Sequence, residues 1–517
     1  VGITFWMVLM PILAGLLVLL IPRTGEVAHR LLALLGALAA LVLACVAWAR
    51  FDYHATGFQQ VSSLHWFTLP SLWHGASGSG LGGLEIGLAF GVDGLSLGLV
   101  LLTGVIGLLA VLAARPAERT REYFFWQSCV VAGLYGVFSA LNVFTFAVAL
   151  ELTLFAMFFL LYLFGQGRRQ FAAMQFLLYR GLATVPLLAA FVGLAYGAVG
   201  GYAATAGAIT DHSLTLDVPT LLHVLPSASA QMLPASIRHV LFLCLLLAVF
   251  VEEAFVPFHT WLPTAHEAAD PATSMLLGGL LTKTGAYALL RFGVGMMPGE
   301  VRHFGTLLAV FGVINILYGA FAAWAQADWR RLIAFSSISH MGLVLLGIAA
   351  FNAAGLQGAM FLLVSSGLLT ALLFFLVGAI AERTSTSRIA ELGGLSRRMP
   401  VLSGLLLVAA LGSLGLPLTS GFVSEVQAFI GSFGSFPAVS FVALLGVILS
   451  AVYLLQAMQR TTFGPLLPAY GRLYDASPGE SILAGLLVAM VLFIGIYPKV
   501  IGDLFGLTVN ALLGMGG

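Results

Sequence analysis

Residues 241–293 read LFLCLLLAVFVEEAFVPFHTWLPTAHEAADPATSMLLGGLLTKTGAYALLRFG, two apolar runs joined by a polar stretch with prolines. The first run carries Glu252 and Glu253 and meets Pro257 and Pro263; the second carries Lys283 in its middle. A proline inside a helix removes a donor and clashes with the carbonyl one turn back. The spacing therefore predicts a helix that breaks just after the acidic pair and frees backbone carbonyls. At membrane depth such a break is tolerated only where protein or a water-filled cavity satisfies the freed groups. Adjacent helical residues point about 100° apart, so the two carboxyls cannot share a face. Glu252 is expected to face the interior and Glu253 a neighbouring helix or subunit.

The rest of the chain puts this stretch in lipid. Of 517 residues 60% are hydrophobic and 8% charged, against about half and about a quarter in soluble proteins. A helix needs roughly 20 apolar residues to cross the hydrocarbon layer. Cutting at charge clusters and Pro/Gly breaks gives about fourteen candidate spans between residues 3 and 506. They include a fifth at 141–164, a sixth at 171–198, a seventh at 239–258, an eighth at 272–293, a twelfth at 400–430 and a fourteenth at 481–506. The expected fold class is an all-α polytopic membrane protein. The first run, Ile3 to Ile21, ends in Pro22-Arg23 without a small-residue cleavage site and reads as a retained helix. Two long connections, 50–91 and 199–238, are rich in Gly, Ser and His. Connections after odd-numbered spans hold fifteen arginines and those after even-numbered spans only four, Arg50, Arg238, Arg291 and Arg302. Cytoplasmic loops carry the excess of basic residues, which places the odd connections in the cytoplasm and both ends of the chain on the periplasmic side of a bacterial inner membrane.

Several function classes drop out. A formal charge of +1 with no basic stripe gives nucleic acid nothing to bind. Cys45, Cys129 and Cys244 sit in apolar runs with unrelated spacing, so they build neither a metal site nor a disulfide scaffold. Gly75 to Gly83 lacks the lysine and the strand-to-helix setting of a phosphate loop and reads as a linker. His54, His65, His74, His212 and His223 fall in the long connections and carry no signal.

Ionisable groups at bilayer depth cost several kcal/mol unless they face protein or water, which makes them the functional candidates. Glu151 lies near the middle of the fifth span and reads either as a proton-handling carboxyl or as a neutral structural one. Lys283 is one of two lysines, Lys499 being the other. It loses its charge more readily than arginine and suits a switchable carrier, or else a locked ion pair. Glu425 follows Gly415 and Pro417, which interrupt the twelfth span much as Pro257 interrupts the seventh. Broken helices with carboxylates near their breaks, in two halves, are the pattern of secondary transporters. His259 and His340 are candidate proton relays. His259 and His266, seven apart with no third ligand nearby, are not a zinc arrangement.

The run VPFHTWLPTAHEAADPATSMLLGGLLTKTGAYALLRF, with FGVDGLSLGLVLLT, ADWRRLIAFSSISHMG, GLLTALLFFLVGAIAERT and LGSLGLPLTSGFVSE, resembles the M-type antiporter-like membrane subunits of the proton-pumping NADH:quinone oxidoreductase, respiratory complex I. The likeness runs over roughly residues 85 to 460. It implies N-terminal helices one to three over 1–115, a first five-helix repeat over 116–295, an inverted second repeat over 296–465 and a last helix over 466–517. The seventh and twelfth helices are broken. It also implies proton translocation through Glu151, the position-252 residue, Lys283 and Glu425. The same resemblance implies no cofactor or metal in this chain, with FMN, iron–sulfur clusters and quinone in partner subunits and L- and N-type subunits as neighbours. Two departures stand out. The family's seventh-helix lysine, five residues before the second proline, is Glu252 here, with Ala254 in place of the first proline. The histidine that precedes the eleventh-helix glycine is Ser366. Either Glu252 carries the proton in a reversed-charge scheme, or this copy is a non-pumping scaffold. Rival readings are a subunit of a cation/proton antiporter or membrane-bound hydrogenase, and a stand-alone transporter.

Overall fold

A computed structural model describes residues 2–22, 25–55, 57–69, 84–116, 118–205, 215–471 and 473–514. Gly75 to Gly83, His74, His212 and two of the counted arginines, Arg23 and Arg472, lie outside the described residues. The order of elements begins α1 (Ile3–Leu20), α2 (Glu26–Ala49), β1 (Gln59–Leu69), β2 (Leu84–Val92), α3 (Gly94–Ala113), α4 (Thr120–Ser139), α5 (Val143–Phe164) and α6 (Arg169–Thr205). It continues α7 (Val218–Met232), α8 (Ala235–Glu252), α9 (Trp261–Ala268), α10 (Pro271–Gly279), α11 (Thr284–Ala288), α12 (Pro298–His303), α13 (Gly305–Trp324) and α14 (Trp329–Ala349). Last come α15 (Ala353–Thr384), α16 (Pro400–Ser413), α17 (Ser420–Ser435), α18 (Pro437–Met458), α19 (Pro478–Ile496) and α20 (Lys499–Gly514).

Among the described residues eleven helices are long and apolar enough to cross a bilayer: α1, α2, α3, α5, α6, α8, α13, α14, α15, α18 and α19. The remaining passages expected from the sequence are helical but miss one criterion. α4 has the length but opens on Thr120, Arg121 and Glu122 and carries Gln127 and Ser128. The 272–293 passage is divided into α10, a 3₁₀ turn at Leu281–Lys283, α11 and a π turn at Leu289–Val294. The 400–430 passage breaks between α16 and α17. α15 is buried along its apolar length and forms the centre, whereas α1, α2, α18 and α19 bury only about a third of theirs. Exposed Leu182, Val185 and Val192 on α6 and Phe441 and Ile448 on α18 show where lipid would lie.

Three local differences from the sequence reading have physical causes. The 50–91 connection is not plain loop. β1 and β2 pair antiparallel from Gln59↔Val92 to Leu69↔Leu84, through residues such as Val61, Trp66, Phe67 and Ile86 that favour pleated backbone. The 199–238 connection holds α7, started by Asp217, whose side chain accepts from Thr220 N–H, with Pro219 in the first turn. The fourteenth expected span divides into α19 and α20 beside Pro498, which has no N–H to continue α19.

Which ends meet fixes the alternation of the passages. Ala140 and Asn142, after α4, bridge to Phe90 of the hairpin and to Asp217 before α7. At the opposite end Arg115 after α3 pairs with Glu382 near the end of α15 and with Glu480 at the start of α19, at 2.9 and 3.2 Å. Asp328 before α14 bridges to Arg388 beyond α15. Tyr123 at the start of α4 donates to Asp270 before α10 at 2.8 Å. The arginine-rich connections thus gather at one end of the bundle and the hairpin at the other.

Candidate functional site

The first break carries most of the charge. α8 stops at Glu252, Ala254 turns into the left-handed region at φ +56°, and no regular helix resumes until α9. Side chains meet two of the freed backbone groups. Trp261 Nε1 donates to Val251 O at 3.0 Å, and Val256 N–H donates to Asn315 Oδ1 of α13 at 2.8 Å. With these bonds made, irregular backbone persists inside the bundle at little cost.

Glu252 and Glu253 are both buried. The Glu252 carboxylate is ion-paired with Arg180 of α6, whose Nη2 donates to Oε2. Arg180 is 1% exposed, and its guanidinium carbon lies 5.6 Å from the ring centroids of both Phe176 and Trp261. Thr284 Oγ1 sits beside the pair, 3.3 Å from Arg180 Nη2 and 3.4 Å from Glu252 Oε2. Glu151 of α5 accepts from Thr184 Oγ1 at 2.6 Å, one helical turn beyond Arg180, and its charge acts on both Arg180 and Glu252.

Glu253 turns to a neighbouring helix, as the spacing leads one to expect, and that helix lies inside the bundle: Oε1 accepts from Ala286 N–H of α11 at 2.6 Å. Gly285 makes this approach feasible, since a Cβ there would stand 2.8 Å from Glu253 Cγ and 2.9 Å from Glu252 Cβ. α11 therefore closes over both carboxyls.

Lys283, at the end of the 3₁₀ turn, is 0% exposed. Its Nζ lies 3.3 Å from Thr282 Oγ1 and 3.8 Å from Met341 Sδ on α14. His340, the residue before Met341, leads to the second break. Its Nε2 is 3.1 Å from Ser413 O at the end of α16 and 3.6 Å from Glu425 Oε1 on α17. Gly415 holds φ +71° in that break, and a Cβ there would stand 2.6 Å from Glu425 Oε2, so glycine is required on both counts. Ser366, at the departure on α15, turns its hydroxyl back to Leu363 O at 3.5 Å, whereas Ser365 Oγ donates to Ser420 Oγ of α17 at 2.8 Å.

Of the candidate row singled out in the sequence, Glu252 is paired with Arg180 at the first break and Glu151 is bonded one turn further along α6, His340 meets Glu425 at the second break, and Lys283 contacts Met341, the residue after His340. His259 stands apart from that row, its Nε2 paired with Tyr318 Oη of α13 at 2.9 Å. His266 is fully buried, with its ring stacked on Phe374 at 4.0 Å between centroids. Sequence reading passed over Arg180, the arginine inside the sixth span, because only connections were counted. Its signal was available: a guanidinium in FLLYRGLATVPLL needs an interior partner. Arg291, counted as a connection residue, is buried and paired to Asp93 at 2.6 and 2.7 Å. Asp93 also caps α3 through Ser96, so this pair ties α3 to the π turn.

A family described as "NADH:quinone oxidoreductase/Mrp antiporter, TM" matches residues 140–452, which include both breaks and every residue of the row. The chain belongs to this family of antiporter-like membrane subunits. Within it, the chain is 38% identical over 515 residues to the NAD(P)H-quinone oxidoreductase chain 4 1 of Synechococcus elongatus, covering 98% of this chain and 90% of that one. It is 34% identical over 519 residues to the chloroplastic chain 4 of Mesostigma viride, covering 98% and 96%. A chain of respiratory complex I from Thermus thermophilus superposes with a TM-score of 0.84 at 29% identity, over 99% of this chain and 100% of that one. A chain of the Mrp complex from Dietzia shares the fold, with a TM-score of 0.78 at 21% identity over 100% and 99% of the two chains. This antiporter-like subunit is therefore a multi-span membrane protein of the complex I type, and its row of buried charges is set in that shared fold.

Proposed function

We propose that this antiporter-like subunit sits in the membrane arm of a quinone-reducing complex and passes protons along the row Glu151, Glu252, Lys283, His340 and Glu425. It works as part of a proton-translocating NADH:quinone oxidoreductase without a redox centre of its own. Partner subunits carry FMN and iron–sulfur clusters and bind quinone, and L- and N-type subunits are its neighbours. Fourteen passages, two inverted five-helix repeats over 116–295 and 296–465, a bacterial inner membrane and periplasmic chain ends complete the reading.

The observation that carries it is Lys283, a fully buried amine that ends on Thr282 and Met341, with no carboxylate within ion-pairing distance among the described residues. An amine kept from a contact ion pair in a low-dielectric interior exchanges its proton more readily than one locked to a carboxylate. Glu253 binds Ala286 N–H, three residues after Lys283, and His340 precedes the Met341 that Lys283 meets, so titratable groups of both breaks adjoin the lysine's own contacts. Lys283→Ala is expected to lower the proton-to-electron ratio of the assembled complex in proteoliposomes. A wild-type ratio in a fully assembled variant would contradict the proposal and favour a scaffold.

A further inference from the structure

The chain's second lysine, Lys499, takes no part in the row. It opens α20 at the hairpin end of the bundle, is exposed, and forms no ion pair among the described residues. Asp503, one turn further on, is exposed and equally unpaired. Both line a hollow of about 250 Å³, together with Trp48 at the end of α2, Tyr53 beyond it and Tyr497 before α20. Trp48 Nε1 donates to Tyr53 Oη at 2.9 Å. Tryptophan and tyrosine concentrate where membrane meets water, which sets the hollow at headgroup level. A second cavity, of about 220 Å³, adjoins it and shares Trp48 and Val500 with it. Helices α2, α3, α15, α19 and α20 wall this cavity with apolar side chains, the Cys45 thiol and the indole of Trp48. Its α2 wall, Leu41 to Trp48, is about 10 Å of helix. The cavity thus reaches two turns into the hydrocarbon layer and stops.

We propose that the two cavities form one binding site for a zwitterionic phospholipid of the phosphatidylethanolamine class, with an acyl chain in the apolar cavity and the headgroup in the hollow. The apolar cavity offers no free hydrogen-bonding group, so it stays dry and takes hydrocarbon. A partner's transmembrane helix would need a groove along the roughly 30 Å of the hydrocarbon layer, about three times the length present. The tail of a quinone would fit the cavity, but its uncharged ring leaves Lys499 and Asp503 unanswered. Charge decides the headgroup. The hollow holds one cation and one anion a helical turn apart. Lys499 matches the phosphate, and Asp503 matches the primary ammonium through a charge-assisted hydrogen bond. A headgroup with a net negative charge and no ammonium would meet Lys499 and be repelled by Asp503. The chain would lie against Val364 and Leu368 of the central α15, which line the cavity floor. It supplies the packing partners that these side chains lack when the cavity is empty. The site does not depend on whether the subunit pumps.

The test uses the intact complex in nanodiscs and a phosphatidylethanolamine that carries a photoreactive diazirine in its acyl chain. After illumination, peptide mass spectrometry is expected to find the adduct on the α2 segment around Cys45 and on α19 near Phe493. Unlabelled phosphatidylethanolamine should compete it away more strongly than phosphatidylglycerol. Lys499→Gln should weaken labelling about fivefold, the weight of one basic residue at a membrane surface. Asp503→Asn should abolish the preference over phosphatidylglycerol. Cys45→Phe, which fills the cavity and keeps both charges, should remove the adduct on α19. All three substitutions fall on exposed residues, and if one variant does not assemble the other two decide. Labelling that is unchanged in the variants is that of ordinary boundary lipid and would overturn the site, as would a wild-type complex without the adduct. Equal competition by phosphatidylglycerol, or stronger competition by an isoprenoid quinone, would overturn the choice of ligand.

Discussion

At the scale of single residues, the buried carboxylate of Glu252 is paired with Arg180, 72 residues away on another helix. The acid was legible in the sequence because a motif surrounds it; the arginine's need for a partner was legible too, but not which partner, because pairing across that distance is set by how α6 packs on α8. Burial makes the two charges depend on each other. Removing one partner of a buried ion pair strands the other charge at a cost of about 3–5 kcal/mol. Glu252→Lys alone is therefore expected to fail, since it places a second cation against Arg180, whereas Arg180→Gln/Glu252→Lys returns a single cation beside Glu151. Assembly yield of the complex, compared between the single and double variants, checks this; equal yields would show that the two positions are uncoupled. The neighbouring acid yields a second expectation. Because Glu253 faces Ala286 and Lys283, Glu253→Gln should lower the proton-to-electron ratio as Glu252→Gln does, and a wild-type ratio would mean that its charge plays no part.

At the scale of elements, the two breaks were legible from Pro257 and from Gly415 with Pro417, since these residues remove donors or open the left-handed region that other residues avoid. What satisfies the break was not. Asn315, on a helix that reads as plain apolar sequence, accepts the Val256 N–H and donates to Phe311 O at 2.8 Å. Asn315→Ala leaves that half-buried N–H without its side-chain acceptor and is expected to cost about 1 kcal/mol. The unfolding midpoint of the detergent-solubilised subunit or complex should fall accordingly, and an unchanged midpoint would remove Asn315 from this role. The irregular eighth passage was hidden for a related reason. Gly278 and Gly279 read as ordinary small residues of a membrane helix, yet a Cβ on either would meet α15, at Thr370 and Ala371. Close packing on the central helix accompanies a departure from α-helix that no proline announces.

At the scale of the whole molecule, the membrane class and the alternation of passages followed from apolar runs and from where arginines cluster, because lipid leaves a chain few choices. The ion pairs at the arginine-rich end, Arg115 with Glu382 and Arg383 with Glu480, agree with that alternation. A single cysteine at exposed Ser385 should therefore label from the cytoplasmic side of the membrane; labelling only from the periplasm would invert the topology. Internal contacts such as the meeting of His340 with Glu425 needed three dimensions. The function proposed above makes the ionisable groups from Glu151 on α5 to Glu425 on α17 act as one row across the bundle rather than through one helix. Groups acting in series fail together: once one link is cut, cutting a second adds nothing. The most direct measurement is the proton-to-electron ratio of the reconstituted complex for Glu151→Gln, Glu425→Gln and the double variant. Both singles should lose the contribution of this subunit and the double should be no worse than either, whereas wild-type ratios in the singles, or a double whose loss is the sum of two partial ones, would contradict a continuous row.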